Sequence, residues 1–349
     1  MKNPFVTNGY VSPEYFCDRE KETAKIVSLL TNENNIALIS PRRLGKTDLL
    51  RHCFGQPEIK EHYHTFIIDI YATSSVRDFV NVFGKAVLDE LRPKGKSVWS
   101  TFLNVLASLR SEITFDMNGQ PTWGIGLGAI TNPSATLDEI FSYLNNAGKP
   151  CLIAIDEFQQ ITKYADDPNI EAALRTHIQR CSNAHFVFSG SHRHLMGAMF
   201  TSPARPFYQS VTLINLPPIS VDKYAEFCLK HFERASKLLD TLVVTELYER
   251  FNGITSYMQK VMNILFSMTG TGEICIPSMI DTAINDLLDF SADTYDALLY
   301  QMPEKQRIVF MAIAAEGKAK AISSGGFVRK YKLLSLIHIS EPTRPRLIS

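Results

Sequence analysis

Two short clusters bring together residue types that can do chemistry as a unit. The first runs from Ser40 to Thr47 and ends in Gly45, Lys46 and Thr47; an apolar run, Ile36 to Ile39, precedes it and Leu49 and Leu50 follow. The order of strand, turn, glycine-lysine-threonine and helix suits backbone N–H groups that cradle a polyphosphate. In that arrangement Lys46 neutralises the β- and γ-phosphates and the Thr47 hydroxyl ligates Mg²⁺. Ser40, Pro41, Arg42, Arg43, Leu44, Gly45 and Asp48 make the rest of the loop. One position departs from G-x-x-x-x-G-K-[ST]: Ser40 stands where the first glycine would be. A basic surface turn is the bland alternative.

The second cluster lies about a hundred residues on. Cys151 to Ile155 is apolar and ends in Asp156 and Glu157. A buried strand of this kind delivers its last residues to the carboxyl edge of a sheet, where open α/β sheets bind ligands. There Asp156 would hold Mg²⁺ through water. Glu157 would polarise an attacking water as general base. A third strand end, His185 to Ser191, puts Ser191 forward as a γ-phosphate sensor. Arg193 beyond it is a candidate phosphate contact or an ordinary surface arginine. His62 with His64, and His192 with His194, suggest metal only faintly, since no third ligand accompanies either pair.

Elements must position these residues. Asp18, Arg19 and Glu20 to Glu22 open a helix, with acids in its first turn to suit the helix dipole. This lead-in either caps a surface helix or packs beside a base, and Arg19 joins the expected nucleotide-binding residues. Thr65 to Tyr71 reads as a buried strand and Ser75 to Leu91 as an amphipathic helix. Residues 92–134 form an insertion: a helix from Val98 to Leu109, then two short strands flanking Asn118 and Gly119, a hairpin turn signal. Partner contact or lid packing is its expected use. Ala135 to Asn146 and Ile170 to Cys181 read as helices, and Phe207 to Leu216 as a fifth strand. After Pro217 and Pro218 the pattern turns helical through residue 302. Glu304 to Ala315 follows, with Ile308, Met311, Ala312 and Ala315 on one face, and another helix begins at Gly325. Two short helices of this kind open a winged helix-turn-helix.

The fold class expected is therefore α/β. A P-loop core with a parallel five-stranded sheet (1–216) precedes a helical lid (217–302) and a truncated winged helix (303–333). The chain has 349 residues, 45% of them hydrophobic, enough for two or three domains. Basic and acidic residues both total 36, so net charge points to no partner. The six cysteines are scattered without a C-x-x-C pair, as expected of reduced thiols in a cytoplasmic protein. No apolar segment suggests a leader or a membrane span.

The chain resembles the archaeal-type ATPase family, P-loop ATPases of the AAA+/STAND group with bacterial members. The landmarks are Asp18 to Glu22, Ser40 to Thr47, Ile153 to Glu157, Gly190 with Ser191, Pro206 to Tyr208, and Pro303 to Arg307. The resemblance implies an ATPase core, a helical region and a winged helix, with ATP and Mg²⁺ as ligands. Many relatives carry an arginine two residues after the tyrosine; here Ser210 occupies that place. Arg205, just before Pro206, and Arg193 are the two candidates to stand in for that arginine finger. Separately, Leu334 to Arg344 resembles translated sequencing adapter. That implies a native sequence ending near Leu333 and residues 334–349 without a consistent packed element.

Two functions follow as expectations. One is an ATP-hydrolysing switch or motor coupled to the winged helix. The other is a slow-turnover nucleotide-binding module that docks DNA or a protein.

Overall fold

The computed structural model describes residues 2–91, 113–115, 121–123, 130, 132–317 and 319–333. In chain order the elements are α1 (Glu20–Thr31), β1 (Ile36–Ile39), α2 (Lys46–Phe54), α3 (Pro57–Lys60), β2 (His64–Asp69), α4 (Val76–Glu90), β3 (Ile113–Phe115) and β4 (Pro121–Trp123). Then follow α5 (Pro133–Asn145), β5 (Cys151–Asp156), α6 (Ile170–Arg180), β6 (Ala184–Gly190), α7 (Arg193–Thr201) and β7 (Thr212–Asn215). The remainder is α8 (Val221–Arg234), β8 (Leu238–Leu239), α9 (Thr241–Phe251), α10 (Thr255–Met268), β9 (Ile274–Cys275), α11 (Ile280–Gln301), α12 (Glu304–Glu316) and α13 (Gly325–Lys330). The described chain divides into two units at the start of α11, with the boundary between residues 280 and 281.

In the first unit, five strands pair in parallel in the order β2-β5-β6-β1-β7. Strands covered on both faces read as continuous apolar runs, which is why β1 and β5 were legible. Period-two alternation splits their side chains between two layers. Ile36, Leu38, Leu152, Ala154 and Val187 pack with Ile26, Leu30, Leu49 and Leu50 of α1 and α2. Ala37, Ile39, Ile153, Ile155, Phe186 and Phe188 face Phe79, Phe83, Ile140, Leu174 and Met196 of α4 to α7. Among described residues no helix is long and apolar enough to cross a membrane.

Several expectations are corrected. The fifth strand begins at Thr212, not Phe207. Phe207 instead sits in a turn that Gln209 closes at φ 53°, and its ring packs edge-on against Phe158 and Phe188. The helical region carries a two-residue parallel pair, β8 with β9, that the sequence did not signal. The insertion's strands pair antiparallel, Ile113 with Trp123 and Phe115 with Pro121. Its expected helix, 98–109, and the hairpin turn lie outside the described residues, as does the tail, 334–349.

In the second unit α12 turns a different face inward from the one expected. Ala312 is buried with Phe327, Val328 and Leu333, and Val309 and Ile313 pack against them. Ile308 and Met311 stay exposed. Residues 308–313 are all apolar, so periodicity could not say which side packs.

Candidate functional site

All five parallel strands end at one edge of the sheet, and the two chemical clusters meet there. β6 separates β1 from β5, so the loop after β1 and the acids after β5 stand two strand spacings apart, about 10 Å. Side chains close that gap: the Thr47 hydroxyl donates to Asp156 Oδ2 at 2.5 Å. In the β5–β6 register Ile155 lies opposite Phe188, so Gly190 comes level with Glu157 and Ser191 just past it.

The loop's shape comes from two left-handed residues, Arg43 at φ 71° and Gly45 at φ 83°. Gly45 is the N-cap of α2 and supplies no side-chain cap, which leaves first-turn N–H groups for an anion. Ser40 does not have positive φ, so the missing first glycine costs no backbone strain. It is fully buried, and its N–H donates to Gly190 O at 3.3 Å. Lys46 is 7% exposed and its ammonium donates to Ser40 O (3.1 Å) and Pro41 O (3.3 Å). Burial pushes the Lys46 pKa below that of an ordinary lysine, and Asp156 and Glu157 oppose that shift. In the same first turn of α2, burial raises the Asp48 carboxyl and Arg51 lowers it.

Asp156 is 7% exposed, and its Oδ1 accepts the Glu157 N–H at 3.0 Å. Glu157 adopts φ 53° as the chain turns into a 3-10 helix, Phe158–Lys163. Its Oε2 accepts the Ser191 hydroxyl at 2.8 Å and also the Gln159 amide. Gln159 carried no signal in the sequence, because the contact depends on that turn.

Lys46, Thr47, Asp156 and Glu157 line a cleft of about 590 Å³, whereas Ser40, Pro41, Gln159 and Ser191 are not among its lining residues. Its walls include Arg19, Arg42, Arg43, Leu44, Gly45, Lys46, Thr47, Asp48, Asp156 and Glu157. Arg19 is buried at φ 79°, with its guanidinium on Glu22 (2.8 Å) and on the Pro217 carbonyl (2.7 Å). Arg42 lies over the Tyr71 ring at 5.3 Å and Arg43 over Tyr257 at 4.8 Å. Arg43 also donates to the Tyr257 hydroxyl, and its carbonyl accepts the Ser256 N–H, so the loop is tied to α10. The N-terminal segment forms another wall with Val6, Tyr10, Tyr15 and Phe16. Phe5 anchors that segment, fully buried among Phe227, Phe232 and Phe266 of α8 and α10.

Arg193 and Arg205 are not among the cleft's lining residues. Arg193 is exposed at the first position of α7. Arg205 pairs with Glu171 of α6, whose carboxyl burial pushes up and Arg205 pulls down. The Ser210 hydroxyl donates to Phe207 O at 2.7 Å. Among described residues no group of three or more His, Cys, Asp or Glu side chains is placed to hold a metal. All six cysteines are buried and unpaired.

A parallel sheet in this order, with a glycine-lysine-threonine loop at its carboxyl edge, is the fold of the P-loop ATPases. The family model "ATPase domain predominantly from Archaea" matches residues 16–261, and the chain belongs to that family. A second model, "Probable winged helix domain", matches residues 293–341, which gives the chain a C-terminal winged helix domain. No curated protein matches the sequence. The fold is similar to that of the Walker-type ATPase PABY2304 of Pyrococcus abyssi, with TM-score 0.61 and 17% identity over 97% of this chain and 89% of that one. It is also similar to the ORC2 protein of Aeropyrum pernix, with TM-score 0.57 and 15% identity over 99% and 86%. The ORC1 protein of the same organism, solved in complex with DNA, gives TM-score 0.54 and 13% identity over 95% and 81%.

Proposed function

We propose that the chain hydrolyses ATP in this cleft and that the winged helix domain puts the cycle to use as a switch or motor. The observation that carries the reading is the Thr47–Asp156 contact beside the buried Lys46. A hydroxyl and a carboxylate at that spacing fit Mg²⁺, which P-loop sites hold with few protein ligands and several waters. Bound there, the ion would neutralise charge on the phosphates. Lys46 would exchange its loop carbonyls for phosphate oxygens, and the α2 N-terminus would bind the same anion through its N–H groups. Glu157 would take a proton from the attacking water, with Ser191 holding the carboxylate. Arg19 and the N-terminal segment would enclose the nucleoside end. Arg43, bound to α10, would carry the state of the loop into the helical region, which would act as a lid. The insertion would serve in partner contact or in lid packing.

The slow-turnover alternative draws on Arg205. Its pairing with Glu171 leaves charge on a γ-phosphate to Arg193 or to a partner. Loss of an arginine finger costs ~10³–10⁵ in rate. DNA is the first partner to test, because a winged helix commonly docks it. Multiple-turnover phosphate release with and without duplex DNA decides between the two readings. A switch or motor turns over many times and changes rate with its partner. A slow-turnover docking module releases phosphate only rarely.

A further inference from the structure

We infer that Gln159 is a positioning residue for Glu157, fixing which carboxylate oxygen is open to water. The inference rests on the proposed role of Glu157 as general base. Gln159 is 3% exposed, far more buried than glutamine usually is. Its Nε2 donates to Glu157 Oε2, the oxygen that also accepts the Ser191 hydroxyl. A carboxylate only accepts, so the amide must present its nitrogen and leave its own oxygen pointing elsewhere. That oxygen, Oε1, is buried with no hydrogen-bond partner. A buried orphan acceptor is costly and calls for a compensating role. Two donors on Oε2 leave Oε1 of Glu157 as the atom free to take a proton.

The surroundings are built to hold this amide. Phe158, just before it, is fully buried, with its ring 4.4 Å from Phe188 and 5.4 Å from Phe207. The turn after β5 therefore cannot swing freely. On the other side lies Gly190, where an added Cβ would overlap Gln159 Oε1 and come within 2.6 Å of Met196. Glycine there has ordinary negative φ, so space and not backbone conformation demands it. Glu157 itself sits at φ 53°, an unfavoured conformation for a glutamate, and such conformations persist where neighbours over-determine them.

Gln159→Met keeps length and packing but removes the donor. Gln159→Glu keeps shape and replaces the donor with a second carboxylate. Both are compared with the parent and with Glu157→Gln for melting temperature, ATP affinity, kcat and KM. Displacing a catalytic group by about 1 Å can cost ~10²-fold in rate. The expected result is a kcat loss of ~10–10²-fold in Gln159→Met, and at least as much in Gln159→Glu, with KM and affinity unchanged. In a Glu157→Gln background, Gln159→Met should cost nothing further. Crystals of nucleotide-free Gln159→Met should show the Glu157 carboxylate moved from its place beside Ser191. Parental kcat in both variants, an equal loss in the Glu157→Gln background, or an unmoved carboxylate each overturns the inference. If Glu157→Gln itself turns over at the parental rate, the general-base reading falls and this inference with it. Parental kcat in both Gln159 variants beside an inactive Glu157→Gln overturns the inference alone.

Discussion

Lys46 is the residue whose burial makes least sense without a ligand. Its ammonium is almost wholly enclosed and bonded only to two loop carbonyls, and burial already depresses its pKa. Removing it should therefore leave the fold intact and empty the site of its cation. A hydrogen bond to a charged group is worth about 1.5–3 kcal/mol, so two of them to phosphate convert to ~10²-fold or more in Kd. Lys46→Ala is expected to weaken ATP binding by at least that factor, with a melting temperature within a few degrees of the parent. Titration calorimetry and thermal melting check it; unchanged affinity would mean that the loop holds no phosphate.

At the scale of elements, the N-terminal segment is the piece that ties the helical region to the cleft. Phe5 buries its ring in α8 and α10, while the Asn3 amide donates to Asn263 O and the Asn263 amide to Phe5 O, each at 2.7 Å. Phe16 stacks on His52 of α2 at 4.4 Å, and Tyr10 bonds the same imidazole at 3.0 Å. Phe→Ala at a buried site costs ~3–5 kcal/mol. Phe5→Ala should lower stability by about that much and also loosen ATP binding, because the freed segment lines the cleft. Denaturant melts with and without ATP measure both; a stability loss with unaltered affinity would separate the segment from the site. None of these side-chain contacts was legible, since Asn3 and Asn263 are 260 residues apart. What was legible followed local rules. Ile36 to Ile39 and Cys151 to Asp156 announced themselves as apolar runs, and the loop between β1 and α2 by its glycine and lysine. Phe207 misled because an apolar aromatic in a buried turn looks like a strand residue. The inward face of α12 was hidden by apolar residues all round the helix. Gln159 was silent because its partner is set by the backbone of Glu157.

Over the whole molecule, one buried and three half-buried histidines give the fold a pH dependence. Burial holds His52, His177, His185 and His231 below the ordinary value of 6.5. The unfolded chain then binds protons that the folded chain refuses. Stability is present in full above about 6.5 and is lost as pH falls through that value toward the folded pKa values. The melting temperature should be lower at pH 5.5 than at pH 7.5. His231, stacked on Tyr15 at 5.8 Å with Nε2 unpartnered, should account for part of the drop. His231→Phe is expected to flatten the profile by a few degrees; an unchanged slope would assign the effect to the other three.

The central claim is that ATP is hydrolysed at the edge where Lys46, Thr47, Asp156 and Glu157 meet. Steady-state phosphate release with Mg²⁺ and ATP, compared between the parent and Glu157→Gln at matched nucleotide occupancy, tests it most directly. Loss of a general base costs ~10²–10⁴-fold. The account predicts many turnovers for the parent and a loss of that size for the variant, with ATP affinity retained. Equal rates in the two proteins would contradict it.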